Sequence, residues 1–283
     1  MGTWRMVRVA GTSGIPEVFG ANHFPGGTSG RYTLAAETAL LRLPDRTSRL
    51  LNLAGKCYAL QETATTILLS VLSDGADAAA HELATRHHMD ESAVRRDIAA
   101  FVTDLEREGL VQSHTSGYSN TAARPGAGTA PSRAGLLLAA LARGSDRRMR
   151  IRAFAVLAVV AVFMAVRGWP NTVSSCLACD IRPVGANRGA DRPSPGDISQ
   201  AVRSAVARFP LPIDCKARAL TSWLLLRSAS LPATMVVGAK AFPLRCHCWC
   251  ESDGRIVADD PERCAEYTEI FSYSPQNGAW SIR

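Results

Sequence analysis

The chain contains no run of about 20 apolar residues, the length a bilayer-spanning helix needs. Its longest uncharged apolar stretch, Ala153 to Val166 (AFAVLAVVAVFMAV), stops at 14 residues. This excludes a polytopic membrane protein and reads as a buried core helix. The alternative is an interfacial segment held at anionic lipid by the arginines on either side. Met1 to Gly30 has no apolar core of the kind a secretory signal carries, so a cytoplasmic setting and reduced thiols are expected. That segment reads as poorly ordered and suggests no role. Eight cysteines in 283 residues are too few for a small disulfide scaffold. No P-loop or other nucleotide motif is present, and no cofactor is expected. Charged residues at 20% and apolar residues at 47% exclude a disordered tail or a collagen-like repeat.

What is present divides in two. From Ser113 to Arg133 the sequence is dominated by Ser, Thr, Gly, Ala and Pro, with no hydrophobic period, which is a linker composition. The expected organisation is a small domain over 31–112, a flexible linker over 113–133 and a larger domain over 134–283. In the first domain the apolar runs Ala39 to Leu43, Arg49 to Leu53 and Cys57 to Leu60 predict an antiparallel meander with a hairpin at Gly55. Helices are predicted from Glu62 to Leu72, from Ala76 to His87, and onward from about Glu91. The last has Val94, Ile98, Phe101 and Leu105 on one face. Three strands and three helices make a winged-helix-like module.

Such a module suits either DNA or a peptide. The net charge of +7 favours DNA, but between Glu91 and Gly109 the third helix carries five acids against three bases. A helix entering the major groove needs a basic face to neutralise phosphates, so no nucleic-acid partner is expected. Peptide capture at an exposed strand edge remains. The runs LLNLAGKCYALQETATTILLSVLSDG and AVRRDIAAFVTDLEREGLV, within about Glu37 to Val111, resemble the PqqD-like recognition elements that hold the leader part of ribosomally made precursor peptides. The resemblance implies that a leader pairs with the third strand, at Cys57, Tyr58, Ala59 and Leu60. It would also lie against the third helix near Arg95 and Phe101, although Tyr58 and Phe101 read equally well as core.

In the second domain, helices are predicted from Ala134 to Ala142 and over the apolar run, with an Arg-rich turn between them, and a third is capped by Asp197. Asp214 suits an N-cap, which puts Cys215 in the first turn of a further helix. Unpaired backbone N–H groups and the positive helix end favour a thiolate there. Strands are predicted over Ala233 to Ala239, Leu244 to Glu251 and Arg255 to Ala258, with a turn at Asp253-Gly254. Alternation puts Cys246, Cys248 and Cys250 on a core face and His247, Trp249 and Glu251 on the other. His247 is then expected to meet Cys215 across the cleft between sheet and helix. Asp259 would orient the imidazole, with Asp260 one position away as the alternative.

The pattern HCWCE, followed by an Asp 12 residues after the His, resembles the transglutaminase-like superfamily, whose usual text is H-A-W-V-E. The fold class implied is α+β: the winged-helix-like module followed by a transglutaminase- or papain-like domain. The order of the two domains resembles the leader peptidases of lasso-peptide biosynthesis. That resemblance implies Cys215 as nucleophile, His247 as general base and acid, and Asp259 as orienter. It implies the precursor peptide and an asparagine-synthetase-like lasso cyclase as partners. Cys248 and Cys250 depart from the usual Ala and Val but are small enough to keep the strand. The rival readings are a transglutaminase-like amidase or acyltransferase, a precursor-binding scaffold, and a DNA-binding regulator. A zinc site built on Cys176 and Cys179 competes for the cysteines, but the strand alternation opposes it and no metal is expected.

Overall fold

The computed structural model describes residues 17–19, 32–35, 38–52, 56–113, 133–142, 149–177, 193–240, 243–274 and 279–282. Its contacts divide the chain into two compact units that meet in sequence near Ala122. Of the expected linker over 113–133, Ser113 ends a strand and Arg133 begins a helix, and residues 114–132 lie outside the described residues, as do the hairpin tip at Gly55, the turn over 143–148 and Cys179.

The first unit is built on a four-stranded antiparallel sheet. Strands β3 (Thr38–Arg42), β4 (Ser48–Asn52) and β5 (Cys57–Leu60) form the expected meander. A further strand, β1 (Glu17–Phe19), pairs with β3 on the far side, giving the order β1-β3-β4-β5. The sequence gives β1 no apolar period, so the expectation of disorder for that stretch is corrected: its three residues are held by pairing with a preformed edge. A short ribbon joins β2 (Tyr32–Leu34) to β6 (Val111–Ser113). Helices α1 (Glu62–Asp74), α2 (Ala76–His87) and α3 (Glu91–Arg107) follow β5. Gly75, at φ 88°, makes the turn between α1 and α2, and Asp90 caps α3 by accepting from the backbone N–H groups of Ser92 and Ala93. The buried face of α3 carries Val94, Ile98, Val102 and Leu105, with Phe101 half-buried beside it.

In the second unit, α4 (Arg133–Ala142) packs beside α5 (Met149–Leu177), which breaks at Gly168 (φ 75°) ahead of Pro170. The sequence predicts a short, buried core helix here. The observed helix is longer, and only one face is buried: Val156, Leu157 and Val160 are inside, while Ile151, Val162 and Val166 are exposed. Arg152 is the charged residue on the inner face, donating to the Ala142 carbonyl and to Ser228 Oγ. Helix α6 (Pro195–Arg208) is capped by Ser194, three residues before the predicted cap. Asp197 completes a capping box, its carboxylate accepting from the Ser194 N–H at 2.9 Å. The Ser-x-x-Asp spacing carries this signal in the sequence.

Helix α7 (Cys215–Ser228) is buried on nearly every side and is the centre of the core. Against it lies a five-stranded sheet of order β11-β10-β7-β8-β9, from β7 (Thr234–Lys240), β8 (Arg245–Ser252), β9 (Arg255–Val257), β10 (Thr268–Ser274) and β11 (Ala279–Ile282). A short helix, α8 (Pro261–Ala265), connects β9 to β10. Cys248 and Cys250 face α7 within the core, as alternation requires. Cys246, near the start of β8 and paired with Ala239, is exposed instead. Trp249 lies on the opposite face across Gly238, where any Cβ would sit 2.8 Å from the indole ring. Glycine is therefore required at that position.

Candidate active site

Asp214 caps α7, its Oδ1 accepting from the Lys216 N–H at 3.3 Å, so Cys215 stands at the first helical position as the sequence predicts. The Cys215 thiol donates to Asp214 Oδ1 at 3.1 Å. Burial pushes its pKa up to about 11, and the Asp214 hydrogen bond and charge add to this. The expectation of a resting thiolate is corrected. The backbone N–H of Cys248 opposes the shift but does not outweigh burial and the carboxylate.

His247 is 2% exposed on β8, and its Nε2 lies 3.0 Å from Asp259 Oδ2. Asp259 follows β9 and is itself only 5% exposed. Burial alone would raise its pKa. The His247 hydrogen bond, the Asp260 N–H and the charge of Arg218 together reverse that and hold the carboxyl below its ordinary value. An ionised carboxylate can only accept, so a neutral His247 carries its proton on Nε2 and offers Nδ1 as the base. Tyr267 and Trp249 pack on the imidazole at ring-centroid distances of 5.1 and 6.0 Å, fixing its plane. Asp260 is not the orienter: its carboxylate caps α8 by accepting from Glu262 N–H.

The sequence predicts that Cys215 and His247 meet across the cleft between helix and sheet. In the structure the Cys215 sulfur packs with the α7 core and meets the backbone N–H of Cys248, the residue next to His247, while Trp249 and Tyr267 pack on the His247 ring. Among the described residues no hydrogen bond joins them. β9 pairs only with Cys250 to Ser252, and Asp259 lies beyond its end. From the α7 side, Arg218 reaches Asp259 Oδ2 at 2.6 Å; the same oxygen meets His247. Arg203 of α6 donates to the Asp259 carbonyl at 2.5 Å. Arg218 is three residues after Cys215, so one face of α7 holds both the thiol and the tether of the His–Asp pair.

Two neighbours escaped sequence reasoning. Arg218 has no local motif to mark it, because its partner is 41 residues away. Cys264 on α8 places its sulfur within 4.8 Å of the His247 and Asp259 ligand atoms. Burial and the nearby Asp259 charge push its thiol up to about 12. Those three side chains have the composition of a metal site, but the Arg218 guanidinium already occupies the carboxylate oxygen that faces His247. A cation there would have to displace another cation, so the donor set does not fit a metal. Cys176 is fully buried among the core side chains of α5, an environment unlike an open ligand site.

Among the described residues of the first unit, β5 is the last strand of its sheet. Asn52 donates to the Lys56 carbonyl at 3.1 Å, so Leu50 and Ser48 also turn their backbone toward β5, opposite Tyr58 and Leu60. The N–H and C=O of Ala59 therefore face away from β4, along the sheet edge. Of the side chains implied in leader binding, Cys57 and Ala59 are exposed and Tyr58 is half-buried. Leu60 is buried in the core, and Phe101 is half-buried against two core clusters. Tyr58 donates to Glu108, and Arg95 pairs with Glu91 at 2.7 Å and with Asp77 at 3.4 Å.

Comparison with known families agrees with this division. Residues 37–111 match the family model described as Coenzyme PQQ synthesis protein D (PqqD). Residues 156–272 match that of the Transglutaminase-like superfamily. No curated protein and no solved structure matches the chain. A PqqD-like domain implies binding of a precursor peptide, and the transglutaminase-like fold is one of cysteine peptidases and acyltransferases. The chain thus carries a PqqD-like, precursor-binding domain followed by a transglutaminase-like domain.

Proposed function

We propose that the protein is a cysteine peptidase that removes the leader from a ribosomally made precursor, of the lasso class, in the cytoplasm. The observation that carries this reading is the buried His247–Asp259 hydrogen bond, tethered through Arg218 to the helix that bears Cys215. Leader capture along β5 would hold the precursor, and the connection between the units would raise the local concentration of the leader–core junction.

For reaction, the Cys215 thiol turns from Asp214 toward His247 Nδ1, which takes its proton. The thiolate attacks the scissile carbonyl, and the Cys215 backbone N–H at the helix start is one donor for the oxyanion. Collapse of the tetrahedral species breaks the C–N bond. The imidazolium gives its proton to the leaving amine, and the core departs with a free N-terminus. Water, deprotonated by His247, then attacks the thioester and releases the leader as a carboxylic acid. An asparagine-synthetase-like, ATP-dependent cyclase would use the amine of the core.

The test is mass spectrometry of the cognate precursor after incubation with the wild-type chain and with Cys215→Ala. The wild type should yield a leader ending in a carboxylate and a core with a free amine. Cys215→Ala should yield neither product yet still bind the leader. Retained cleavage would remove Cys215 from the mechanism. A leader ending in an amide to an added amine would move the reading to acyl transfer.

A further inference from the structure

The junction between β9 and α8 passes through a backbone conformation that its residue type disfavours. Ala258 has φ 60°, in the left-handed region where a Cβ is crowded by the following carbonyl, and it is only 2% exposed. The next residue is Asp259, whose Oδ2 meets His247 Nε2 at 3.0 Å. A glycine would take this conformation freely, so an alanine there has to be held by its surroundings.

Helix α6 supplies the hold. Ser199 Oγ accepts the Ala258 N–H at 3.0 Å, and Arg203 donates to the Asp259 carbonyl at 2.5 Å. Spaced i and i+4, the two side chains project from one face of the helix. Between the two atoms they bind lie the φ and ψ torsions of both Ala258 and Asp259, which set the direction of the Asp259 side chain. The side-chain end is closed separately: Oδ1 accepts the Asp260 N–H at 2.8 Å, and Oδ2 accepts from Arg218 at 2.6 Å. Helix α6 is itself fixed, with Ile198, Ala201, Val202 and Ala205 buried and its first turn closed by the Ser194–Asp197 capping box. Among the described residues neither Ser199 nor Arg203 forms a hydrogen bond with Cys215 or His247, so any effect on them passes through the Asp259 segment.

We infer that Ser199 and Arg203 are positioning residues, a brace on α6 that holds the Ala258–Asp259 backbone so that the Asp259 carboxylate meets His247. Its catalytic consequence rests on the peptidase reading, in which that carboxylate keeps the imidazole proton on Nε2 and leaves Nδ1 as the base. The division of labour is between two helices: α7 holds the carboxylate through Arg218, and α6 holds the backbone behind it.

Two readouts on the full chain carrying Ser199→Ala with Arg203→Gln test it. The first is proton NMR. A buried imidazole N–H bonded to a carboxylate gives a downfield resonance in slow exchange with water, assigned to His247 by its absence from His247→Gln. The resonance should be present in the wild type and broadened or lost in the double variant. The second is turnover of the cognate precursor, where the double variant should lower kcat about 100-fold with KM nearly unchanged, as a misplaced catalytic group does. Circular dichroism checks that the fold persists; if the double variant unfolds, Arg203→Gln alone, at an exposed position, decides by the same readouts. An unchanged resonance in the folded variant overturns the inference, as does its absence from the wild type or a loss of activity carried by KM alone. A resonance that responds to the substitutions in a chain that cleaves no precursor leaves the brace standing and removes the peptidase reading.

Discussion

Asp214 has two opposing effects on Cys215. As N-cap it fixes the start of α7 and so the position of the thiol; as a charge it discourages the thiolate. Asparagine caps as well as aspartate but carries no charge. Asp214→Asn should therefore keep the melting temperature and bring the pH midpoint of Cys215 alkylation down from about 11 toward the ordinary 9.0, read by peptide mass mapping. An unchanged midpoint would leave burial as the sole cause. The sign for stability follows: a thiol whose pKa is raised in the folded state favours folding up to its unfolded value, and that contribution fades as pH rises through about 11. Arg218 acts on Asp259 from the other side. Arg218→Gln should lower kcat/KM for precursor about 10–100-fold, as loss of a supporting partner does elsewhere. It should also move the acid limb of the pH–rate profile upward. With the cation gone, less opposes the effect of burial, and Asp259 loses its charge at a higher pH. Arg218→Lys should restore part of the rate. A purely structural role would lower activity without moving the limb.

At the scale of elements, the proposed function rests on two strand edges. The edge of β8 beyond Cys250 is open because β9 ends at Val257, and that opening is where Asp259 links α7 to His247. Among the described residues no strand pairs with the outer edge of β5. Ala59 turns its N–H outward there, so Ala59→Pro removes a donor from the edge while sparing the ladder to β4. Leader affinity, measured by fluorescence anisotropy, should fall at least about tenfold, the worth of a lost backbone hydrogen bond of about 1.4 kcal/mol. Undiminished affinity would place the leader elsewhere. Most of these elements are legible from pattern. β5 and α2 have the same bounds in sequence and structure, and Asp214 announces α7 through cap chemistry alone. β1 is not legible, since three residues acquire strand geometry only from the neighbour they pair with.

For the whole molecule, the consequence of joining the two units is kinetic. Residues 1–115 made separately should bind leader peptide as tightly as the Cys215→Ala chain does. Cleavage by the two halves mixed at micromolar concentration should fall about a hundredfold below that of the joined chain, because tethering supplies an effective concentration in the millimolar range. A single-turnover assay reads the ratio, and equal rates would mean that the connection contributes nothing. The basic excess of +7 belongs to this scale as well. It does not make a DNA-binding helix of α3, where Arg95 is paired with Glu91 and Asp77 and Arg107 with Asp104. Part of it lies in α5, at Arg150, Arg152 and Arg167.

The sequence by itself determined the two-domain plan, the helix that presents Cys215 and the strand that carries His247. Each of these rests on local rules of capping, alternation and turn chemistry, or on motif spacing. Tertiary structure alone decided which carboxylate meets the imidazole, that Arg218 ties that carboxylate to α7, and that the resting thiol is protonated. It also decided that the apolar run is buried on one face only. Those properties depend on burial and on partners distant along the chain, and neither is written in a residue's near neighbours.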